Sequence, residues 1–224
     1  MSPDPWIRAY DLLPEMLAVL LTGAVTTVEV TVGGFVLAVL FGLLFAVLQT
    51  VPARPARVLA GLYVEVFRGV PVLTQLFVLY FGLAEFGIRL HPLTAAVLGF
   101  GLNGGAYLTE VFRAGIGAVH QGQLEAAFMI GMTRLMGLRH VVLPQVIRVV
   151  LPPLGNFAVG LLKDTSLASA VAAPELAFRA RTLVDQTYLS TQVYLLSAAI
   201  YLAMSLPLAH LTRRLEVRMG RGNP

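Results

Sequence analysis

The feature that most constrains this chain is a set of five apolar stretches, each long enough to cross a membrane as a helix. A helix needs roughly 20 apolar residues to span a hydrocarbon core about 30 Å thick. The composition agrees, because 57% of the 224 residues are hydrophobic and 12% are charged, unlike a soluble domain. We therefore predict an all-α membrane protein with five transmembrane helices. The predicted spans are Thr22–Val51, Leu59–Leu83, Leu93–Val119, Val146–Val171 and Gln192–Leu211.

The residues before the first span differ from a secretory signal. They include Asp11, Pro14 and Glu15, are more acidic than basic, and are followed by no small-residue cleavage site, so we expect them to be retained. Tyr10–Leu21 is predicted to be an interfacial helix. The predicted regions are an external N-terminal segment (1–21), a membrane permease domain (22–211) with a cytoplasmic loop (121–144), and a basic cytoplasmic tail (212–224).

The arginines are divided unequally between the two sides that these spans define. With the N-terminus outside, 11 arginines lie on the cytoplasmic side or at its boundary, and 4 face outward. This asymmetry fits the positive-inside rule and predicts an external N-terminus and a cytoplasmic C-terminus. It also accounts for nearly all of the net charge of +4 without nucleic acid. The inner set is Arg54, Arg57, Arg68, Arg113, Arg134, Arg139, Arg148, Arg213, Arg214, Arg218 and Arg221, and the outer set is Arg8, Arg89, Arg179 and Arg181.

Several enzyme classes are excluded by the residues that the chain lacks. With no cysteine there is no disulfide, thiolate metal site, iron–sulfur cluster or cysteine nucleophile. The single lysine, Lys163, follows Leu162 rather than the glycine of a phosphate loop, and the four histidines have no metal-ligand spacing. Gly99–Gly104 matches a dinucleotide-binding pattern inside an apolar helix, where Gly101 and Gly105 instead indicate close helix approach. We predict that the chain is not an enzyme.

The loop Gln121–Pro144 has a distinctive pattern. Glu125-Ala126-Ala127 favours a helix, Gly131 can end it in a left-handed conformation, and Met132–Leu138 offers a second short apolar face. Helix physics alone leaves two alternatives open, an ordinary loop or a helix, turn and helix presented to a soluble partner. The residues predicted to contact that partner are Glu125, Ala126, Ala127, Gly131, Met132 and Leu135.

The spacing of this loop is Glu-Ala-Ala, three residues, Gly, nine residues, a hydrophobic residue, any residue, Leu-Pro. It resembles the signature loop of the membrane subunits of bacterial ABC importers, with Val141 where isoleucine is usual. With TTVEVT near the start, three more segments are similar to the polar amino-acid uptake branch of that family. They are Tyr63–Gly82 (YVEVFRGVPVLTQLFVLYFG), Ala106–Ile116 (AYLTEVFRAGI) and Leu143–Val171 (LPQVIRVVLPPLGNFAVGLLKDTSLASAV).

This resemblance implies the type I importer fold, located in the bacterial inner membrane. The implied partners are a second permease subunit of the same or a paralogous chain, an ATP-binding cassette ATPase dimer and an extracytoplasmic amino-acid-binding protein. It further implies that the segment from Glu125 to Gly131 and the following helix sit in a cleft on the ATPase. ATP and Mg would be bound by that subunit, so no cofactor is expected on this chain.

Polar residues at membrane depth mark a predicted pocket in the fourth span. Lys163 and Asp164 are adjacent, so on a regular helix they point about 100° apart, and an unwound turn at Thr165–Ser166 would change this. Each charge could satisfy another helix, or Asp164 could accept a substrate ammonium while nearby hydroxyls and amides receive the carboxylate. The resemblance favours the second reading. The predicted pocket residues are Asp164, Asn156, Phe157, Thr165, Ser166, Lys163, Asn103, Thr74 and Gln75, of which the last three are equally expected as helix-to-helix hydrogen bonds near a kink at Pro71.

One position bears on specificity. Similar proteins that take cationic amino acids commonly place glutamate after the asparagine of Pro-Pro-Leu-Gly-Asn, where this chain has Phe157. The missing negative charge predicts a neutral polar or acidic amino acid in preference to a cationic one.

The tetrapeptide Glu-Val-Phe-Arg occurs twice, at Glu65–Arg68 and at Glu110–Arg113. Residues three apart share a helix face, so each pair is predicted to form an ion pair at a helix end near the cytoplasmic interface, with gating contacts as an alternative.

The leading prediction is therefore an importer permease that works by alternating access. Two alternatives are a non-transporting scaffold or assembly subunit on the same fold, and an ion-driven carrier, which would need no such loop and usually shows repeated halves.

Overall fold

The computed structural model describes residues 5–220, and all regular structure in that range is helical. Two stretches depart from α geometry as π-helical turns, Val78–Gly82 and Leu138–Val142, and Thr165–Val171 is a 3₁₀ helix. The α-helices are α1 (Pro5–Thr50), α2 (Arg54–Gly69), α3 (Val72–Phe77), α4 (Leu83–Glu85), α5 (Pro92–Gly117), α6 (Gln121–Met129), α7 (Arg134–Gly137), α8 (Leu143–Asp164), α9 (Leu176–Thr187) and α10 (Ser190–Gly220).

Helix α1 is continuous over 46 residues, so the prediction of a separate interfacial helix ending at Leu21 is wrong. The N-terminal part is amphipathic, but protein covers its apolar face. Met16 and Leu20 are buried against α9 and α10. Pro14 is tolerated inside the helix on the exposed side, where water can bind the carbonyl that lacks its amide partner.

Helices α1 and α5 pack closely and run in the same direction. A Cβ atom on Gly42 would lie 2.7 Å from Leu108 Cβ, and one on Gly101 would lie 2.6 Å from Leu37 Cβ. A Cβ on Gly105 would lie 2.6 Å from Phe41 Cβ. The predicted role of Gly101 and Gly105 in close helix approach is therefore confirmed, and α5 becomes the central helix of the bundle.

By length and apolar composition, three helical stretches in residues 5–220 can cross a membrane: α1, the continuous Arg134–Val171, and the last helix. Helices α2 and α3–α4 make a fourth as one broken span, bent by 104° between Gly69 and Val72. The kink predicted at Pro71 is thus confirmed, and it is sharp. Helix α5 is 26 residues long, but glycines and Asn103 dilute its apolar character, which suits a helix surrounded by protein.

A buried carboxylate fixes α9 to its neighbours. Glu175 is fully buried and caps α9 by accepting hydrogen bonds from the backbone N–H groups of Ala177 (2.9 Å) and Phe178 (2.8 Å). The Tyr201 hydroxyl of α10 donates to the same carboxylate at 2.8 Å, and Thr27 Oγ1 of α1 accepts from Leu176 N at 3.1 Å. Burial raises the pKa of Glu175, and these hydrogen bonds oppose the shift. Helices α1, α9 and α10 are therefore joined by one polar cluster.

Candidate functional site

A cavity of about 730 Å³ opens where the second span is broken. Its walls come from the end of α2, one face of α5 and the last turns of α8. Three charged residues line it, namely Arg68, Glu110 and Asp164. The other lining residues are Gly69, Val70, Pro71, Val72, Asn103, Tyr107, Leu108, Val111 and Phe157.

Two amides hold the break open. Asn103 Nδ2 and Gln75 Nε2 donate to the Phe67 carbonyl at 2.7 and 2.9 Å, and Gln75 Nε2 also donates to the Val70 carbonyl at 2.8 Å. These carbonyls lose their helical partners where α2 ends, so the amides replace the missing hydrogen bonds. Asn103 therefore both lines the cavity and supports the break. Gln75 is buried behind it, and Thr74 is exposed elsewhere.

The run from Lys163 to Ser166 changes helix type at its midpoint. Helix α8 ends at Asp164, and the chain tightens into the 3₁₀ helix from Thr165 instead of unwinding. The Thr165 hydroxyl donates to the Leu162 carbonyl at 2.7 Å, and the Ser166 hydroxyl donates to the Lys163 carbonyl at 2.9 Å. Both hydroxyls serve the backbone, and Asp164 is the member of this run that lines the cavity.

Asn156 points toward α10, where its Nδ2 donates to Glu216 Oε1 at 3.1 Å. Phe157, its neighbour, lines the cavity and has its ring 6.2 Å from that of Phe35. Gly104 makes room for this ring, since a Cβ there would lie 2.4 Å from Phe157 Cζ. Of the predicted pocket residues the cavity thus brings together Asp164, Phe157 and Asn103. Those placed outside it are Asn156, Lys163, Thr165, Ser166, Thr74 and Gln75.

The two Glu-Val-Phe-Arg pairs differ in the structure. Arg113 Nε donates to Glu110 Oε2 at 2.9 Å, as the spacing predicts. Glu65 and Arg68 do not meet within 4.0 Å, and the Arg68 guanidinium carbon lies 5.2 Å from the Tyr107 ring centroid instead. The second half of the prediction is corrected, because α2 ends directly after Arg68 and its side chain turns toward α5.

Sequence reasoning also placed Arg68 at the cytoplasmic boundary and missed it as a cavity residue. The Phe67 carbonyl is bonded to Asn103, which lies near the midpoint of α5, so Arg68 stands about halfway along that helix. The available signal was a charge inside a predicted apolar span, which marks a functional residue by default.

The second region is the segment between α5 and α8. Gly131 has a φ of +80°, the left-handed conformation that the sequence predicts, and it ends α6 with hydrogen bonds from Gly131 N to Phe128 O (2.9 Å) and Met132 N to Ala127 O (3.0 Å). Thr133 Oγ1 then caps α7 by accepting from Met136 N at 3.3 Å. The predicted helix, turn and helix is therefore present.

This segment exposes a row of large apolar side chains. Met129, Ile130 and Leu135 are 87%, 74% and 72% exposed. Among the other predicted contact residues, Glu125 and Ala126 are exposed, Met132 is half-buried and Ala127 is buried against α7. An apolar surface of this kind on a short rigid hairpin is typical of a protein-docking site.

The docking surface and the cavity belong to one helical rod. Helix α7 continues through the π-helical turn into α8 and the 3₁₀ segment, so the chain is helical from Arg134 to Val171. Asp164 lies near the far end of this rod. A displacement of the docking surface would therefore move one wall of the cavity.

Fold and geometry together define a class: an all-helical membrane protein with a broken-helix cavity and a rigid docking hairpin. A family model described as "Binding-protein-dependent transport system inner membrane component" matches residues 38–221. The chain belongs to this family. Its resemblance to the permease subunits of polar amino-acid ABC importers is confirmed, and its location is the inner membrane.

Two relatives match nearly the whole chain. The L-cystine transport system permease protein TcyB of Bacillus subtilis (strain 168) is 36% identical over 222 residues, which cover 97% of this chain and 92% of that protein. The glutamine transport system permease protein GlnP of Escherichia coli (strain K12) is 33% identical over 216 residues, which cover 96% of this chain and 97% of that protein.

Solved structures agree with the fold. The crystal structure of an amino acid ABC transporter with histidines superposes with a TM-score of 0.87 at 35% identity, covering 97% of this chain and 100% of the other. An inward-facing structure of the MetNI methionine ABC transporter has the same fold, with a TM-score of 0.67 at 17% identity, covering 90% of this chain and 98% of the other.

Proposed function

We propose that this permease carries amino acids into the cytoplasm through the cavity beside Asp164, driven by ATP hydrolysis on a partner that binds the α6–α7 hairpin. The observation that carries the proposal is the continuous helix from Arg134 to Val171, which joins the exposed apolar surface to the cavity wall. A rod of this kind transmits movement at one end to the other, as alternating access requires.

The proposed topology has five spans, with the N-terminus outside and the C-terminus inside. The fifth span is α5, which is 26 residues and about 39 Å long and packs parallel to α1. The docking hairpin follows α5 directly, and α8 runs back along it, since Val150 packs against Gly115 and Phe157 against Gly104. The basic end of α10 then lies on the hairpin's side, as the positive-inside rule favours.

The proposed substrates are amino acids with neutral polar or acidic side chains, in preference to cationic ones. Phe157 supports this, because it occupies the cavity wall with an apolar ring and leaves Asp164 and the paired Glu110 as the acidic groups. The relatives named for L-cystine and glutamine also favour a substrate without a net positive charge. Arginine stimulating the complex's ATPase more than glutamine or glutamate would contradict this preference.

The proposed assembly contains a second permease subunit, an ATPase dimer that binds ATP and Mg, and an external amino-acid-binding protein. The chain carries no phosphate loop of its own, so the ATPase must be separate. The exposed hairpin residues Met129, Ile130 and Leu135 would be buried by the ATPase.

The test is co-purification followed by reconstitution. The tagged chain is purified in mild detergent, its partners are identified, and the complex is placed in liposomes with glutamine, glutamate, cystine or arginine and the binding protein. We expect an ATPase in the purified complex and an ATP hydrolysis rate that rises with one of the first three amino acids, together with its uptake. A chain that binds no ATPase, or uptake that persists without ATP, contradicts the proposal.

A further inference from the structure

Arg68 is a charged residue at a depth where charges are uncommon. The hydrogen bond from Asn103 Nδ2 to the Phe67 carbonyl, at 2.7 Å, aligns the end of α2 with the middle of α5. The next residue, Arg68, therefore lies about halfway through the bundle and lines the cavity. Charges at this depth face a cavity or a partner and mark a pathway for a polar substrate.

The guanidinium of Arg68 is held in place without a protein anion. Within residues 5–220 it donates no hydrogen bond to protein and has no carboxylate within 4.0 Å. Its central carbon lies 5.2 Å from the Tyr107 ring centroid, so the ring stabilises one orientation by a cation–π contact. Glu110 lines the same cavity, but it is paired with Arg113. The Arg68 donors are thus available to a bound anion.

The opposite charge stands on the wall formed by α8. The Asp164 carboxylate lines the same cavity and accepts no hydrogen bond from protein within the described range. The hydroxyls of Thr165 and Ser166, which sequence reasoning had offered for the substrate carboxylate, donate to backbone carbonyls. Arg68 is the cation that remains to take this role.

We infer that Arg68 binds the α-carboxylate of the transported amino acid while Asp164 binds its α-ammonium group. This rests on the proposed function, because it assumes that the cavity holds an amino acid. Since Glu110 and Arg113 neutralise each other, Arg68 and Asp164 leave the site with one charge of each sign. A zwitterion matches both, and the guanidinium fork suits a carboxylate in a bidentate arrangement.

The test uses the absence of native cysteine. A single cysteine at Val111, which lines the cavity, is introduced by Val111→Cys, and the permease–ATPase complex is purified without binding protein. Protection of this cysteine from a thiol reagent is titrated with L-glutamine and with L-glutaminamide, which keeps the ammonium group but has a neutral amide in place of the carboxylate. Cystine and glutamate are titrated in parallel.

With Arg68 present, we expect glutaminamide to need about tenfold more ligand than glutamine for half-protection, since a charge-assisted hydrogen bond is lost. In Arg68→Gln the half-protecting glutamine concentration rises about tenfold and the two titrations converge. Arg68→Lys retains a smaller preference for glutamine. Arg57→Gln, on the same helix and exposed outside the cavity, is the matched control and keeps the original preference.

Glutamine protection that keeps its full advantage over glutaminamide in Arg68→Gln overturns the inference and leaves the proposed function intact. If Arg68→Gln fails to assemble, Arg68→Lys decides, because an unchanged preference there overturns the inference and a reduced one supports it. Absence of protection by all the amino acids with Arg68 present contradicts the proposed function, and the inference falls with it.

Discussion

At the scale of single residues, Phe157 offers the sharpest control of selectivity. Phe157→Glu would add a carboxylate to the cavity that contains Asp164, and a second negative charge favours a cationic side chain. Using the Val111→Cys protection titration, we expect the half-protecting concentration of arginine, relative to that of glutamine, to fall about tenfold. Phe157→Gln, which has polarity without charge, should leave the ratio near its original value. An unchanged ratio in Phe157→Glu would show that this wall does not face the substrate side chain.

Glu175 is the residue whose loss should most affect stability. Glu175→Ala would leave the N–H groups of Ala177 and Phe178 and the Tyr201 hydroxyl without an acceptor in a fully buried position. We expect a loss on the order of 3 kcal/mol, seen as a lower thermal unfolding midpoint of the purified protein in detergent. Asp185→Ala, an exposed acid on the same helix α9, should unfold close to the parent midpoint. Equal midpoints for the two variants would contradict the role of Glu175.

These residues show which inferences can be drawn from sequence. The hairpin and Asp164 were identified because their signals lie within a few residues of one another, at Gly131 and in the Lys-Asp-Thr-Ser run. The face that each side chain takes is set by tertiary packing. Asn156 therefore turned out to bond with Glu216, 60 positions away, and Thr165 with its own helix. Arg68 was misplaced because the break in α2, and hence its depth, depends on amides from other helices.

At the scale of helices, the hairpin turn needs a residue that tolerates positive φ. Gly131→Trp would force a bulky side chain into the left-handed region, at a cost of roughly 1–2 kcal/mol, and would distort the surface around Ile130. We expect normal membrane insertion, continued ATP hydrolysis and loss of substrate-dependent uptake in proteoliposomes. Glu125→Lys, on exposed α6, should act in the same direction.

The matched control is Gly61→Trp. Gly61 has open space where a Cβ would stand and a backbone conformation that other residues can adopt. Uptake by Gly61→Trp should resemble that of the parent. Normal uptake by Gly131→Trp as well would remove the coupling role from the hairpin.

The connection between α7 and α8 can be softened without touching either site. Arg139 and His140 are exposed in the π-helical turn, and two glycines there cost about 2 kcal/mol of helix propensity relative to alanine. We expect the Arg139→Gly, His140→Gly double variant to bind the ATPase but to couple poorly, measured as fewer amino acids transported per ATP hydrolysed. The Arg139→Ala, His140→Ala pair removes the same side chains, keeps the helix, and should retain more coupling. Equal ratios for the two double variants would argue that rod stiffness is not required.

At the scale of the whole molecule, the helix order requires that the loop between α4 and α5 and the end of α10 lie on opposite sides of the membrane. Ile88 is exposed in that loop and Arg218 is exposed near the end of α10, and the chain has no native cysteine to interfere. In sealed right-side-out vesicles, Ile88→Cys should react with a membrane-impermeant thiol reagent, while Arg218→Cys should react only after the membrane is permeabilised.

Each variant serves as the control for the other, because both side chains are exposed and both become reactive in permeabilised membranes. The reverse pattern would place the docking hairpin outside, where no cytoplasmic ATPase could reach it. Labelling of both cysteines in sealed vesicles would mean an even number of spans between residues 88 and 218, whereas the five-span topology has three, namely α5, α8 with its 3₁₀ extension, and α10. The coupling proposal therefore depends on this count as directly as on the chemistry of Gly131.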